Sequence, residues 1–393
     1  MTTTAPDPTL GVQPADLVAA AQRLAPLVRE SAAANEAAGE LVDAVDDALH
    51  EARLYGMWTP RELGGAECDP ISSLEIVQTL AAADPSTAWV QMAAALAIGT
   101  GGAYLSDEAV KEVFSGERLP VVAGQGTRPG TAVTDGDGYR LSGDWSFASG
   151  IKHAQWIHTL GIIQETGEPR IFVLPVEEAE LIETWDVMGL KATGSIDYTT
   201  RDVFVRDSFT HLGPVEEGRR GGWVFKLGIM HFALIGHSGW ALGAARRMLD
   251  ELAEQVRSKA GRAGSMADSP RFHATYGELE ARYHAARAFV YEVWRDATET
   301  LQGDGQLTPE QRTTVRLALY NATWTAEAIA NEVYRTGGTA ALRTGPIQQF
   351  FRDIHAGTQH VTSGPQVVEG AGRFLAGLAP NHSWLYMNLV PQG

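Results

Sequence analysis

The run Gly143-Asp144-Trp145-Ser146-Phe147-Ala148-Ser149-Gly150 ends a series of turn-punctuated strands with an indole, a hydroxyl and a flexible glycine. An indole can stack on a flat ring system and a serine hydroxyl can hydrogen-bond a ring nitrogen, which suits a planar cofactor. The same residues also serve as core filling and as a loop hydroxyl. What decides between these uses is the rest of the chain.

Several other chemistries are set aside by residue spacing. There is no His-Glu-x-x-His, no Cys-x-x-Cys and no pair of Glu-x-x-His motifs, so no metal site is expected. The segment Gly124-Gln125-Gly126-Thr127-Arg128-Pro129-Gly130 has a phosphate-loop look, but its third glycine is misplaced and a proline sits where the helix should begin. A dinucleotide fingerprint is therefore lacking, and so is a Gly-x-Ser-x-Gly elbow.

Composition narrows the class of partner. With 393 residues and 44% apolar content the chain can bury a large core, and its formal net charge of −17 would repel a nucleic-acid backbone. The lone Cys68 cannot form an internal disulfide, and Met1-Thr2-Thr3-Thr4-Ala5-Pro6-Asp7 shows no signal pattern, so a cytoplasmic location is expected. The most apolar window, residues 88–102, contains Gln91, Gly99, Gly101 and Gly102 and falls short of the roughly 20 residues a span requires. It reads as a buried helix, and no membrane association is expected.

The elements that must position these residues fall into three blocks. Leu17, Leu24, Leu27, Leu41, Val45, Leu49 and Leu54 recur at near-helical spacing, and Asp69-Pro70 and Asp84-Pro85-Ser86 read as two further helix starts. Residues 1–117 are thus an N-terminal helical domain. From 118 to 215 the chain turns to short β runs with a turn signal every 8 to 12 residues or so, the spacing of a sandwich or barrel. Within it Asp135-Gly136-Asp137-Gly138 predicts a hairpin, and residues 157–163 and 171–174 predict strands. From 216 to 393 four long helices, 223–259, 270–301, 309–336 and 345–377, predict a bundle. The fold class is α+β.

This order of blocks resembles the acyl-CoA dehydrogenase superfamily. Three segments narrow the resemblance to its two-component flavin-dependent monooxygenases: residues 143–150 with His153-Ala154-Gln155-Trp156 following, Trp185-Asp186-Val187-Met188-Gly189-Leu190-Lys191-Ala192-Thr193-Gly194-Ser195 leading into Asp202-Val203-Phe204-Val205, and Phe351-Arg352-Asp353-Ile354-His355-Ala356-Gly357-Thr358-Gln359-His360. Dehydrogenases of the superfamily often carry a glutamate base just beyond the Arg-Asp pair. Here His360 and Val361 stand there, which argues against α,β-desaturation of an acyl thioester.

The resemblance implies reduced FMN or FAD delivered by a separate NAD(P)H-dependent reductase, dioxygen as co-substrate, and hydroxylation of an aromatic molecule through a flavin C4a-hydroperoxide. It implies catalytic roles for Ser149, near flavin N5, and for His360, whose ordinary pKa of about 6.5 suits phenol deprotonation or a hydrogen bond to the peroxide. Trp145, Phe147, Gln125, Thr193, Ser195 and Arg262 are the implied flavin contacts, Arg262 gripping phosphate across a subunit boundary. His231, Phe232 and His237 are candidates for the substrate pocket, with core packing the competing use. His355, about 140° around a regular helix from His360, is expected to be structural, and Arg352-Asp353 to be an ion pair holding the last helices. A homotetramer built on the C-terminal bundle is implied as well.

Simple phenol hydroxylases of this branch commonly carry a histidine where this chain reads Ala93-Ala94-Ala95-Leu96-Ala97-Ile98-Gly99. A roomier pocket, suited to a polycyclic or polyketide-like aromatic, is the expectation. A flavin dehydrogenase, an N-oxygenase of an amino sugar and a non-catalytic relative are the other readings.

Overall fold

The computed structural model describes residues 11–126 and 128–392. The N-terminal stretch read above for a signal pattern, and Thr127 of the glycine-rich segment, lie outside the described residues. Five helices form the front of the chain: α1 (Pro14–Ala38), α2 (Asp43–Glu51), α3 (Pro70–Ala83), α4 (Pro85–Tyr104) and α5 (Asp107–Val113). Both predicted acidic caps are in place. Asp69 accepts from the amides of Ile71 and Ser72, and Asp84 from that of Thr87, with a first-turn proline after each. Buried Asp84 also accepts from Asn35 of α1 and, through its other oxygen, from Gln349 near the chain's far end, so one cap ties three segments together. Helix α4 is buried along nearly its whole length, as its apolar composition requires.

The middle of the chain forms one eight-stranded sheet: β1 (Val122–Ala123), β2 (Gly130–Asp135), β3 (Gly138–Trp145), β4 (Trp156–Ile163), β5 (Pro169–Pro175), β6 (Glu180–Ile182), β7 (Asp197–Arg206) and β8 (Thr210–Leu212). Their order is β6-β7-β3-β2-β4-β5-β8, with β1 parallel to β4. The predicted Asp-Gly hairpin joins β2 to β3. Strands three places apart in a flat sheet would lie about 14 Å from each other. Yet the Tyr198 hydroxyl on β7 reaches Thr159 on β4 at 2.8 Å, so the sheet rolls over on itself.

Helices return with α6 (Gly228–Arg257), α7 (Pro270–Gln302), α8 (Pro309–Gly337), α9 (Pro346–Gly357) and α10 (Pro365–Leu375), and a hairpin of β9 (His382–Leu385) and β10 (Asn388–Pro391) closes the described chain. The fourth predicted helix, 345–377, is broken. α9 ends at Gly357, and α10 starts afresh at Gly364-Pro365, where the residue before proline is pushed out of helical geometry: Gly364 is extended at φ −71°, ψ 160°. The break releases residues 358–364 from the helix and changes where His360 points. The terminal hairpin was not foreseen. Buried Arg316 holds it, donating twice to the Tyr386 carbonyl and lying 4.7 Å from the Trp384 ring.

Among the described residues no helix is long and apolar enough to cross a membrane. Helix α6 runs against α3 with Gly243 at the crossing, where a Cβ would lie 2.3 Å from the Gln78 carbonyl oxygen. That contact is backbone and cannot rotate away. Gly243→Ala is expected to cost about 1–3 kcal/mol, read as a lower Tm in thermal unfolding; an unchanged Tm would mean that α3 and α6 separate freely.

Candidate active site

A cavity of about 830 Å³ opens between α4, α6, the segment after α9 and one end of the sheet. Two loops form its polar wall. In residues 146–150 and 193–196, Ala148 N–H donates to Ile196 O (3.2 Å) and Gly150 N–H to Thr193 O (2.9 Å), which brings Ser149 beside Ser195. Phe147 adopts left-handed geometry (φ 69°), a strain of about 1–2 kcal/mol for a side-chain-bearing residue. Its ring, 64% exposed, meets Trp185 edge-on at the cavity rim.

The hydroxyls of this wall form a chain with one direction. Thr193 gives its proton to the Leu190 carbonyl (2.7 Å), so it accepts from Ser195 (2.7 Å). Ser195 then accepts from Ser149 (2.7 Å), and Ser149 accepts from the indole N–H of Trp89 (3.1 Å), which can only donate. Ser149 therefore keeps one lone pair for a ligand while its proton is directed along the chain.

The loop that ends this chain is fastened to α9. Asp353 accepts the Leu190 amide at 2.6 Å, and Arg352 donates to Met188 O (2.9 Å) while pairing with Glu36 (2.7 Å). At Gly189 a Cβ would lie 2.3 Å from the Arg352 carbonyl oxygen, so only glycine lets the loop approach. The predicted Arg352-Asp353 ion pair is thus replaced by two separate clamps on one loop. Burial pushes the Asp353 carboxyl up to about 8, partly offset by the Leu190 amide, so it is held protonated at neutral pH.

Across the cavity stand two imidazoles in contact, their planes tilted by 33°. His237 and His360 lie 4.1 Å apart between ring centroids, and Trp89 meets both edge-on. The Thr362 amide donates to His360 Nδ1 (3.4 Å), with the Thr362 hydroxyl at 2.8 Å, so the ring proton belongs on Nε2. Burial lowers His360 to about 4 and holds His237 well below its ordinary value, with His360 adding to that effect. The expectation of a histidine poised near 6.5 is corrected. At neutral pH both rings are uncharged.

The other candidates divide. Gln125, Thr193, Ser195, Phe232 and His237 line the cavity with Ser149, Phe147 and His360. Trp145 does not: it is 1% exposed, donates to Leu160 O (3.2 Å) and stacks on Tyr198 inside the rolled sheet. A strand alternates faces, and Trp145 falls on the inward one. His231 points into the bundle, bonded to Leu227 O, because α6 turns it away from the face that carries His237. Arg262 lies in the exposed link 258–265, away from the cavity of its own chain. His355 touches the cavity despite the angle expected on a regular helix, since α9 ends at Gly357; its nitrogens face Phe351 O (2.6 Å) and Asn331 (3.2 Å). Three tryptophans of the lining, Trp58, Trp89 and Trp185, received no role from the sequence. Only Trp185 lay in a quoted motif; Trp89 meets a serine 60 positions away.

The donor set fits a flavin ring. Hydroxyls and the Gln125 and Gln359 amides match ring carbonyls and nitrogens, and the indoles match an aromatic face. None of the described lining residues carries the positive charge that would hold a phosphate, so these residues suit the ring end alone.

Residues 18–115 match the N-terminal domain of acyl-CoA dehydrogenase and residues 235–364 its C-terminal domain. The chain belongs to the acyl-CoA dehydrogenase family. Within it, the chain is 29% identical over 357 residues to the indole-3-acetate monooxygenase of Pseudomonas putida, covering 87% of this chain and 88% of that protein. It is likewise 29% identical over 367 residues to the flavin-dependent monooxygenase oxygenase subunit HsaA of Mycobacterium tuberculosis, covering 89% and 92%. The crystal structure of the M. tuberculosis HsaA monooxygenase superposes with a TM-score of 0.85 at 25% identity, over 93% of this chain and 98% of that one.

Two outcomes check the electrostatics. An acid whose folded pKa is raised holds its proton in the folded state while the unfolded chain loses it, so stability falls as pH rises from about 4 to 8. Asp353→Asn should remove that slope and gain in Tm relative to the native protein between pH 5 and pH 8; parallel Tm curves would contradict a protonated Asp353. In NMR of 13C-labelled imidazoles, the signal lost in His360→Gln should titrate near 4, and a midpoint near 6.5 would show an exposed ring.

Proposed function

We propose that this chain is the oxygenase component of a two-component flavin-dependent monooxygenase acting on an aromatic substrate. The observation that carries the reading is the pairing, across one cavity, of a directed hydroxyl chain with an uncharged histidine pair, and no carboxylate among the described lining residues. Desaturation of a thioester needs a base to remove an α proton. His360 stands where that glutamate often lies, and its low proton affinity makes it a poor substitute at neutral pH.

When bound, reduced FMN or FAD activates dioxygen and supplies one oxygen atom to the substrate, the other leaving as water. This chain's residues shelter and orient that chemistry. Ser149, supported by Trp89 behind it, offers its oxygen lone pair toward the ring, and Gln125, Thr193 and Ser195 complete the polar wall. Ala93, Leu96, Ile229 and Ala233 supply an apolar wall that excludes water. His360 Nε2–H donates to a substrate oxygen opposite. Reduced flavin comes from a separate NAD(P)H-dependent reductase, in keeping with a sheet whose only parallel pairs among the described strands are β1–β4 and β2–β4.

Arg262 fits a phosphate-gripping role only across a subunit boundary, so the reading includes a homotetramer assembled through the C-terminal helices. The relatives' names support an aromatic substrate: one acts on indole-3-acetate. The cavity volume, within the roughly 300–1,000 Å³ of drug-sized sites, and its alanine-rich wall support a bulky one.

Anaerobic titration with photoreduced FMN and FAD, followed by rapid mixing with oxygen, tests the reading. Tight binding of the reduced form and a lag before oxidised-flavin absorbance returns are expected, with label from 18O2 in the product. Ser149→Ala should shorten the lag by about 10- to 100-fold. Immediate reoxidation without a lag, or electron delivery to an acceptor without oxygen incorporation, would favour a dehydrogenase.

A further inference from the structure

The cavity contains an electrostatic selection that neither the fold nor the relatives' names supply. Among the described lining residues there is no Lys, Arg, Asp or Glu. Three cations beside it are already used: Arg352 and Lys191 face Glu36, at 2.7 and 4.0 Å, and Lys152 faces Glu183 at 3.3 Å. His158 and His360 are both lowered to about 4 by burial, and burial holds His237 well below its ordinary value, so these three imidazoles offer no charge at neutral pH. His355, the fourth imidazole of the lining, turns Nδ1 to Phe351 O and Nε2 to Asn331, with the Glu327 carboxylate 3.7 Å from Nε2, so it is spoken for on both nitrogens.

Two of these uncharged rings are nonetheless equipped to bind. His360 carries its proton on Nε2, the nitrogen without a partner among the described residues, while Nδ1 is held by Thr362. His237 has no hydrogen-bond partner on either nitrogen among the described residues, and so presents one donor and one acceptor. With the rings 4.1 Å apart, the pair can both give a hydrogen bond to a small polar group and take one from it. A hydroxyl meets both demands. A carboxylate only accepts and an ammonium only donates, and each would give up its hydration here with no opposite charge to replace it.

We infer that the cavity selects an uncharged aromatic substrate and that its wall rejects aromatic acids and aromatic-tethered amines, the His360–His237 pair giving and taking the hydrogen bonds of a neutral polar group. This rests on the oxygenase reading of the same cavity. It sets the chain apart from the indole-3-acetate monooxygenase it is similar to, whose named substrate bears a carboxylate.

Three probes share one ring and one hydroxyl and differ in what C3 carries: hydrogen in 5-hydroxyindole, an anionic arm in 5-hydroxyindole-3-acetate and a cationic arm in 5-hydroxytryptamine, the Ala97→Lys variant separating charge from size. Their dissociation constants are to be measured by equilibrium dialysis at pH 7.5 on the full chain, with and without anaerobic reduced FMN. The expected result is that 5-hydroxyindole binds at least about 100-fold tighter than the acid or the amine, a gap of two decades. Equal or tighter binding of either charged probe overturns the proposal, and so does no measurable binding of 5-hydroxyindole. Ala97→Lys, which puts a cation in the apolar wall, should improve the acid at least tenfold relative to the neutral probe; an unchanged ratio in a variant of native Tm would overturn it as well. Binding of reduced FMN by the same preparation separates the two levels: if flavin binds and the charge series fails, only the selectivity falls, and if flavin does not bind, the oxygenase reading falls.

Discussion

The Leu190 peptide is the joint on which this site hangs. Its amide goes to the buried Asp353 carboxyl at 2.6 Å, and its carbonyl receives the Trp185 indole (3.2 Å) and the Thr193 hydroxyl (2.7 Å). One residue in left-handed geometry (φ 56°) thereby connects α9, an aromatic of the cavity rim and the terminus of the hydroxyl chain. Because that carbonyl consumes the Thr193 proton, the orientation of Ser195 and then Ser149 follows. The polarity of the wall facing the cofactor is set from 41 positions downstream of Ser149, by backbone.

Burial is the second constraint, and it works on the Asp353 carboxyl and on the imidazoles of His158, His237 and His360 in the same sense. Low dielectric disfavours whichever form is charged, so Asp353 is pushed toward its protonated form and the histidines toward their free-base form. The interior is polar without being charged. Such a lining can orient a ligand by hydrogen bonds, and those bonds gain strength where water is absent. It also leaves unpaired charge in a ligand expensive, which connects the shelter required for oxygen chemistry with the choice of substrate.

The same scaffold serves dehydrogenases of the family, and the difference is local. A carboxylate base in this cavity would alter both the proton chemistry and the charge balance of the wall. His360 does neither: it caps a short turn through Thr362 rather than riding on a helix, and it lies against the His237 ring instead of standing alone. The break between the end of α9 at Gly357 and the start of α10 at Pro365 is what makes that placement possible.

Local signals in the sequence determined a good deal. Periodicity, the Asp69 and Asp84 caps, the Asp-Gly hairpin and the change from helical to alternating patterns depend on neighbours within a few residues, and they are realised save for the break in the predicted helix 345–377. The quoted motifs placed Ser149, Thr193, Ser195 and His360 at one cavity, since each motif travels with its own loop. Three things were decided only in the tertiary structure. Trp145 was drawn into the rolled sheet while Trp89, from a helix that looked like plain core, took the place behind Ser149; contacts across 60 positions leave no periodic trace. His231 and His237, six apart on one helix, went to opposite fates because the packing of α6 among α3, α4, α8 and α9 chose the face. The charge state of His360 was set by the depth of its burial, a property of everything packed around it and not of any residue beside it in the chain.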